Sequence, residues 1–195
     1  VSVRITAGQY TRPVDLRASP GERVIIEAKG GAVLSRLLRT LAGLRPAEFG
    51  TVERVGGPLA YVFTEGGLFA GAPLSESVRI PLLFAGLPLE RMDASFRRFG
   101  IGHLAGARPS AVGPEARRLA QLARAHALGA RLLFVEEPTA QLSSSGLELV
   151  TDWLEERRAD GVLVVAGRQD GAVPTGETRV RLDATPGESF IEDDP

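Results

Sequence analysis

A glycine-rich turn between a buried strand and a helix can do phosphate chemistry, because backbone N–H groups and the positive end of the helix dipole converge there. Residues 28–35 read Ala28-Lys29-Gly30-Gly31-Ala32-Val33-Leu34-Ser35 and sit in that setting. They follow the apolar run Val24 to Ala28. They precede Leu34, Leu37, Leu38 and Leu41, which recur at helical spacing until Gly43 stops the helix. A phosphate-binding loop of the form G-x-x-x-x-G-K-[ST] adds a Lys for the terminal phosphates and a hydroxyl for Mg²⁺. Taken alone, this segment fails that pattern and reads as an ordinary strand-to-helix turn.

The elements around it argue for an α/β fold. Val1, Val3 and Ile5 alternate with polar residues as in a half-buried strand, Pro20-Gly21 marks a turn, and Pro58 to Phe63 reads as a further strand. Ser75 to Phe84 and Glu90 to Phe99 read as short helices interrupted by Pro81 and Pro88. A longer helix over Glu115 to Leu128 places Leu119, Leu122 and Ala123 on one face. Leu132 to Val135 and Val162 to Ala166 are short apolar strands. Between them, Ser145 with Glu148 suggests a capping box for a helix carrying Leu147, Val150 and Leu154. Buried apolar strands alternating with amphipathic helices predict a mainly parallel sheet covered on both faces.

Composition removes several function classes. A chain of 195 residues suits one domain, and its 23 basic and 24 acidic residues nearly cancel, so no nucleic-acid partner is expected. There is no cysteine, which excludes disulfides, thiolate zinc sites and cysteine nucleophiles. No apolar run is long enough to cross a bilayer, and no charged-then-apolar leader opens the sequence, so secretion is not expected. Ser143-Ser144-Ser145 could suggest a hydrolase, but neither His103 nor His126 lies nearby and no G-x-S-x-G elbow exists.

Four stretches in order resemble the ATP-binding (nucleotide-binding) domain of ATP-binding cassette (ABC) transporters. Ser35 to Pro46, running on to Gly50-Thr51-Val52, resembles the helix after the P-loop. Ala60 to Phe69 resembles the Q-loop segment. Arg117 to Ala125 resembles the helix after the signature motif, and Leu132 to Ala140 resembles Walker B with the start of the D-loop. The wording around Ile80-Pro81-Leu82 and Arg117-Arg118 is most similar to lipid-trafficking, Mla-type ATPases. The resemblance implies a P-loop NTPase-like core with a mainly parallel sheet, N-terminal antiparallel strands and a small helical subdomain. It implies a single domain over 1–185, the helical part inserted at about 70–128, and a flexible acidic tail at 186–195.

The resemblance also assigns roles, and most are filled by the wrong residue. In Walker A the first Gly falls on Ala28, the last on Val33, the Lys on Leu34 and the Ser on Ser35, so only Gly31 and Ser35 fit. Lys29 could act as a relocated lysine. Gly30 and Arg36 complete the loop, and Tyr10 is the candidate for stacking on adenine. The Q-loop Gln falls on Thr64. The signature L-S-G-G-Q falls on Val112-Gly113-Pro114-Glu115-Ala116, which loses the Ser hydroxyl and one backbone donor and sets a carboxylate toward a partner's γ-phosphate. Glu136 takes the Mg²⁺-associated Asp position and Glu137 the general-base position. The D-loop Asp falls on Ser143 and the switch His on Gly167. ATP and Mg²⁺ binding are therefore doubtful. The implied protein is a degenerate subunit, a pseudo-ATPase, docked through its helical subdomain on an integral membrane permease at the inner face of the cytoplasmic membrane. It would pair as a homodimer or as a heterodimer with another ABC ATPase subunit. The alternatives are a weak ATPase using Glu137 with Lys29, and a soluble interaction module derived from an ABC domain.

Overall fold

A computed structural model describes residues 3–5, 18–28, 31–47, 52–54, 57–168, 178–182 and 189–192. The chain divides into two compact units. The first comprises Val1–Gly57, Arg131–Pro138 and Glu155–Pro195; the second comprises Pro58–Ala130 and Thr139–Leu154.

The first unit is organised by strand β2, Arg23–Ala28, whose residues 24–28 are all buried. Val24, Ile25, Ile26 and Ala28 are apolar, as suits a strand covered on both faces, while the buried Glu27 is the one charged residue among them. It pairs in parallel with β6, Leu163–Arg168, on one side and with β7, Thr178–Leu182, on the other. Strand β5, Leu132–Glu136, lies parallel to β6 on its far side. The expected tail 186–195 is not all loose: Ser189–Glu192 forms β8, antiparallel to β7, where backbone pairing to an open edge supplies order that the sequence pattern did not advertise. Separately, β1, Val3–Ile5, pairs antiparallel with β3, Val52–Arg54.

Helix α1, Gly31–Ala42, buries Leu34, Leu38, Leu41 and Ala42 along one stripe. That stripe packs on β2, β5 and β6. Gly43 takes φ +77°, and the Leu44 N–H donates to the Arg39 carbonyl at 2.8 Å, which ends the helix where the sequence predicts.

The second unit packs around α4, Pro114–Ala127, which buries Leu119, Leu122 and Ala123 with their neighbours. Strand β4, Leu59–Val62, and helices α2, Glu76–Phe84, and α3, Glu90–Arg98, lie against it. Pro81 was expected to interrupt α2 but lies inside it. One backbone bond is lost there, and the buried Val78 and Leu82 on either side hold the turn. Phe99 and Trp153 meet edge to face with centroids 5.4 Å apart. His126 completes the cluster, its Nδ1 2.8 Å from Ser95 Oγ. Because Ser95 Oγ donates to the Arg91 carbonyl, the imidazole Nδ1 is the donor to that hydroxyl.

Helix α5, Ser144–Ala159, starts differently from the expected capping box. Its cap is Ser143, whose Oγ accepts from the Gly146 N–H at 3.2 Å, and the Leu147 N–H closes the first turn on the Ser143 carbonyl. Ser145 and Glu148 lie inside the helix, too far along to cap it.

Candidate nucleotide site

Strand register brings the C-terminal ends of three parallel strands together, which is where ligands bind in open α/β sheets. Gly167 on β6 stands opposite Ile26 on β2 and opposite Glu136 on β5. Of the site residues expected from sequence, Ser35, Glu136 and Glu137 meet here. Ser35 Oγ donates to Glu136 Oε1 at 2.6 Å. Arg39, one helical turn further along α1, directs its Nε to the same oxygen at 3.4 Å. Glu136 is buried, so a carboxylate there needs such donors. The Glu137 N–H donates to the Gly167 carbonyl at 2.7 Å, extending the β5–β6 ladder by one residue. Glu137 does so at φ +45°, a left-handed conformation that costs an L-residue roughly 1–2 kcal/mol.

Leu34 and Gly167, the residues that the sequence resemblance sets at the Lys and switch His positions, are both buried. Leu34 is 2% exposed and belongs to the apolar stripe of α1. Gly167 has no side chain, and the space one would enter is filled. An ideal Cβ there would lie 2.4 Å from Leu38 Cδ1 and 2.8 Å from Leu34 Cδ1. Leu34 and Leu38 thus fill the space that a side chain at residue 167 would enter. Arg36 is exposed, and its carbonyl accepts from Thr40 Oγ1. Gly31 opens α1. Tyr10, Lys29 and Gly30 lie outside the described residues.

The remaining expected residues belong to the second unit. Gly113 is the N-cap of α4 and Pro114 its first residue. The Glu115 carboxylate, expected to face a partner's phosphate, is engaged within the chain: its Oε1 accepts from the Ser143 N–H at 3.0 Å and from Ser143 Oγ at 2.6 Å. Glu115 and Ser143, expected from sequence at the signature and D-loop positions, are thus bonded to each other. Thr64 lines a cleft of about 280 Å³ with Glu65, Gly66, Arg117, Arg118, Gln121 and Gln141.

Sequence reasoning missed what fixes that Q-loop segment. Gln121 pairs with the Phe63 peptide as a strand would, accepting its N–H at 2.8 Å and donating to its carbonyl at 3.1 Å. Arg118 donates to the same carbonyl at 3.0 Å. Arg124 donates to the carbonyls of Gly67 and Tyr61, and burial holds its guanidinium pKa below the ordinary value. The three-residue spacing of 118, 121 and 124 along α4 was the available signal.

A magnesium–phosphate group fits these residues poorly. Mg²⁺ asks for near-octahedral oxygen coordination. Here the Arg39 guanidinium shares the Glu136 oxygen that Ser35 Oγ bonds, so a positive charge already faces the carboxylate. Among the described residues no group of three or more His, Cys, Asp or Glu could hold a metal ion.

No protein-family model matches the chain. The aliphatic sulfonates import ATP-binding protein SsuB 1 of Pseudomonas fluorescens is 33% identical over 196 aligned positions, covering 89% of this chain and 74% of that protein. The cytochrome c biogenesis ATP-binding export protein CcmA of Bordetella bronchiseptica is 30% identical, covering 86% of this chain and 81% of that protein. The macrolide export ATP-binding/permease protein MacB of Azoarcus is 27% identical, and the match spans 26% of its length. In fold, the chain superposes on the dimeric ABC transporter cassette MJ0796 with a TM-score of 0.83 at 19% identity, covering 98% of this chain and 96% of that one. The chain belongs to the ATP-binding subunits of ABC transporters. Its α/β architecture with a mostly parallel sheet is that of the family's ATPase domains. The relatives are named as ATP-binding proteins, so ATP is the ligand that their names give them.

Proposed function

We propose that this chain is a pseudo-ATPase subunit of an ABC transporter, holding or regulating a membrane permease without turning over ATP. The observation that carries the reading is Leu34, sealed into the core where the family pattern has its phosphate-binding lysine. Thr64, Gly113, Glu115 and Gly167 stand at four further altered positions, so both halves of a head-to-tail composite site are affected. An active partner subunit would meet this chain's altered signature with its own Walker A, and this chain's altered Walker A with its own signature. The role that remains is structural or regulatory, in a homodimer or a heterodimer. The Mla-type wording makes lipid the cargo class of this reading.

Docking on a permease is supported by the end of α2, where Phe84 is 89% exposed beside Leu83 at 52%, with Leu89 at 37% nearby. Such side chains in one short stretch suit a partner surface. Among the described residues no helix is long and apolar enough to cross a membrane, so a peripheral position at the inner membrane face requires that partner. An integral membrane protein is expected to co-purify with the chain from solubilised membranes, and Phe84→Asp is expected to cut its recovery at least tenfold without altering the thermal midpoint. Recovery of a soluble particle alone in every preparation would reject docking in favour of a soluble interaction module.

One observation favours a second reading, a weak ATPase with a relocated lysine. Lys29 is the chain's only lysine; every other member of its 23 Lys and Arg is Arg. An ammonium is a compact phosphate contact that a guanidinium does not reproduce. On this reading any turnover above background falls to background in both Lys29→Arg and Glu137→Gln. Turnover left unchanged by Glu137→Gln rejects it.

A further inference from the structure

We infer that Arg39 is a built-in cation that takes the place of the divalent metal at Glu136. The inference rests on the proposed loss of the nucleotide site and deepens it. Three observations point the same way. Glu136 is buried at the end of β5, so its charge must be met by donors close at hand. Two such donors converge on one oxygen, the Ser35 hydroxyl at 2.6 Å and Arg39 Nε at 3.4 Å. Both come from α1, four residues apart, and therefore from one helix face. A hydroxyl beside a carboxylate is the usual start of a Mg²⁺ site, but a guanidinium there changes its chemistry. A guanidinium presents its charge on a planar fork of N–H donors that suits a carboxylate. A divalent ion approaching the same oxygen would meet a fixed like charge and would have to displace it. Glu136 has one methylene more than the Asp of the family pattern.

Arg39 is thus a positioning residue, holding the end of β5 to α1 in a metal-independent state. The side chain of Arg39 is 41% exposed, so replacing it should leave the fold intact. The probe is Mg²⁺ alone, without nucleotide, with NaCl of matched ionic strength as control. At about 10 mM Mg²⁺ the wild-type thermal midpoint is expected not to move. Arg39→Gln removes the resident cation and is expected to gain a Mg²⁺-dependent rise of about 2–4 °C. Arg39→Lys keeps a cation and is expected to stay insensitive, and Glu136→Gln added to Arg39→Gln should abolish the response. A wild-type midpoint that rises with Mg²⁺ overturns the inference, as does an Arg39→Gln variant that fails to respond. Either failure differs from failure of the pseudo-ATPase reading, which appears only as turnover of Mg²⁺-ATP by the wild-type chain.

Discussion

Titrated with Mg²⁺-ATP in a calorimeter, the purified chain is expected to give no heat of binding, or a Kd weaker than about 1 mM, equivalent to roughly −4 kcal/mol. A nucleotide-binding domain draws much of its affinity from the phosphates, through backbone donors, a lysine and a metal. Here the lysine position holds a leucine 2% exposed, and the metal-side carboxylate is bonded by Ser35 and Arg39. Catalysis should suffer more than binding. Losing one preorganised donor typically costs about 10²–10³ in rate. On the proposed reading, Leu34, Thr64, Gly113 and Gly167 stand where the family pattern has its Lys, Gln, signature Ser and switch His. Even a strongly sub-additive sum leaves no useful turnover. Phosphate release should therefore stay at the buffer background, and Leu34→Lys alone should not lift it. A lysine restored at one position still lacks the others, and at this one it must leave the core. Micromolar affinity for Mg²⁺-ATP would refute the expected loss of phosphate contacts, and release above background that Glu137→Gln removes would show that the site works.

Much of the architecture was legible because its signals are local. The apolar runs at Val24, Leu132 and Val162 are buried parallel strands, and the leucine spacing after the glycine loop is α1 up to Gly43. The family roles set Ser35 and Glu136 at one site, and Ser35 Oγ lies 2.6 Å from Glu136 Oε1. What escaped depends on contacts distant in sequence. Ser143 became the α5 cap while Glu115, 28 residues earlier, bonds its N–H and hydroxyl; nothing near Ser143 distinguishes it from Ser145. The clamp on Phe63 comes from side chains more than fifty residues away on α4. Pro81 was read by its usual effect on a helix, but burial of its neighbours outweighs one missing bond. The β7–β8 pair is made of short segments whose order comes from pairing with the sheet.

The largest effect on stability is expected at Gly167, and it tests whether the former catalytic positions are now one packed surface. Restoring the family's histidine there should destabilise the chain rather than repair it. A Cβ alone would lie 2.4 Å from Leu38 Cδ1 and 2.8 Å from Leu34 Cδ1. Leucine methyls can swing aside where there is room, but Leu38 is 0% and Leu34 2% exposed, so neither can move without disturbing the sheet face. Overpacking of this kind costs typically about 1–3 kcal/mol for small insertions, so Gly167→Ala should fall in that range and Gly167→His above it. Leu34→Ala by itself opens a cavity and should cost about 2–5 kcal/mol. Combined with Gly167→Ala, however, it removes the Leu34 contacts at 2.8 and 2.9 Å and opens room into which Leu38, the nearer neighbour, can turn. The two costs should then fail to add, with a coupling of about 0.5–3 kcal/mol favouring the double variant. Denaturant unfolding of the two singles and the double measures that coupling. Strict additivity would mean that the lysine and histidine positions were lost independently. Coupling of the expected sign would mean that each substitution accommodates the other, so that neither reverts alone without loss of stability.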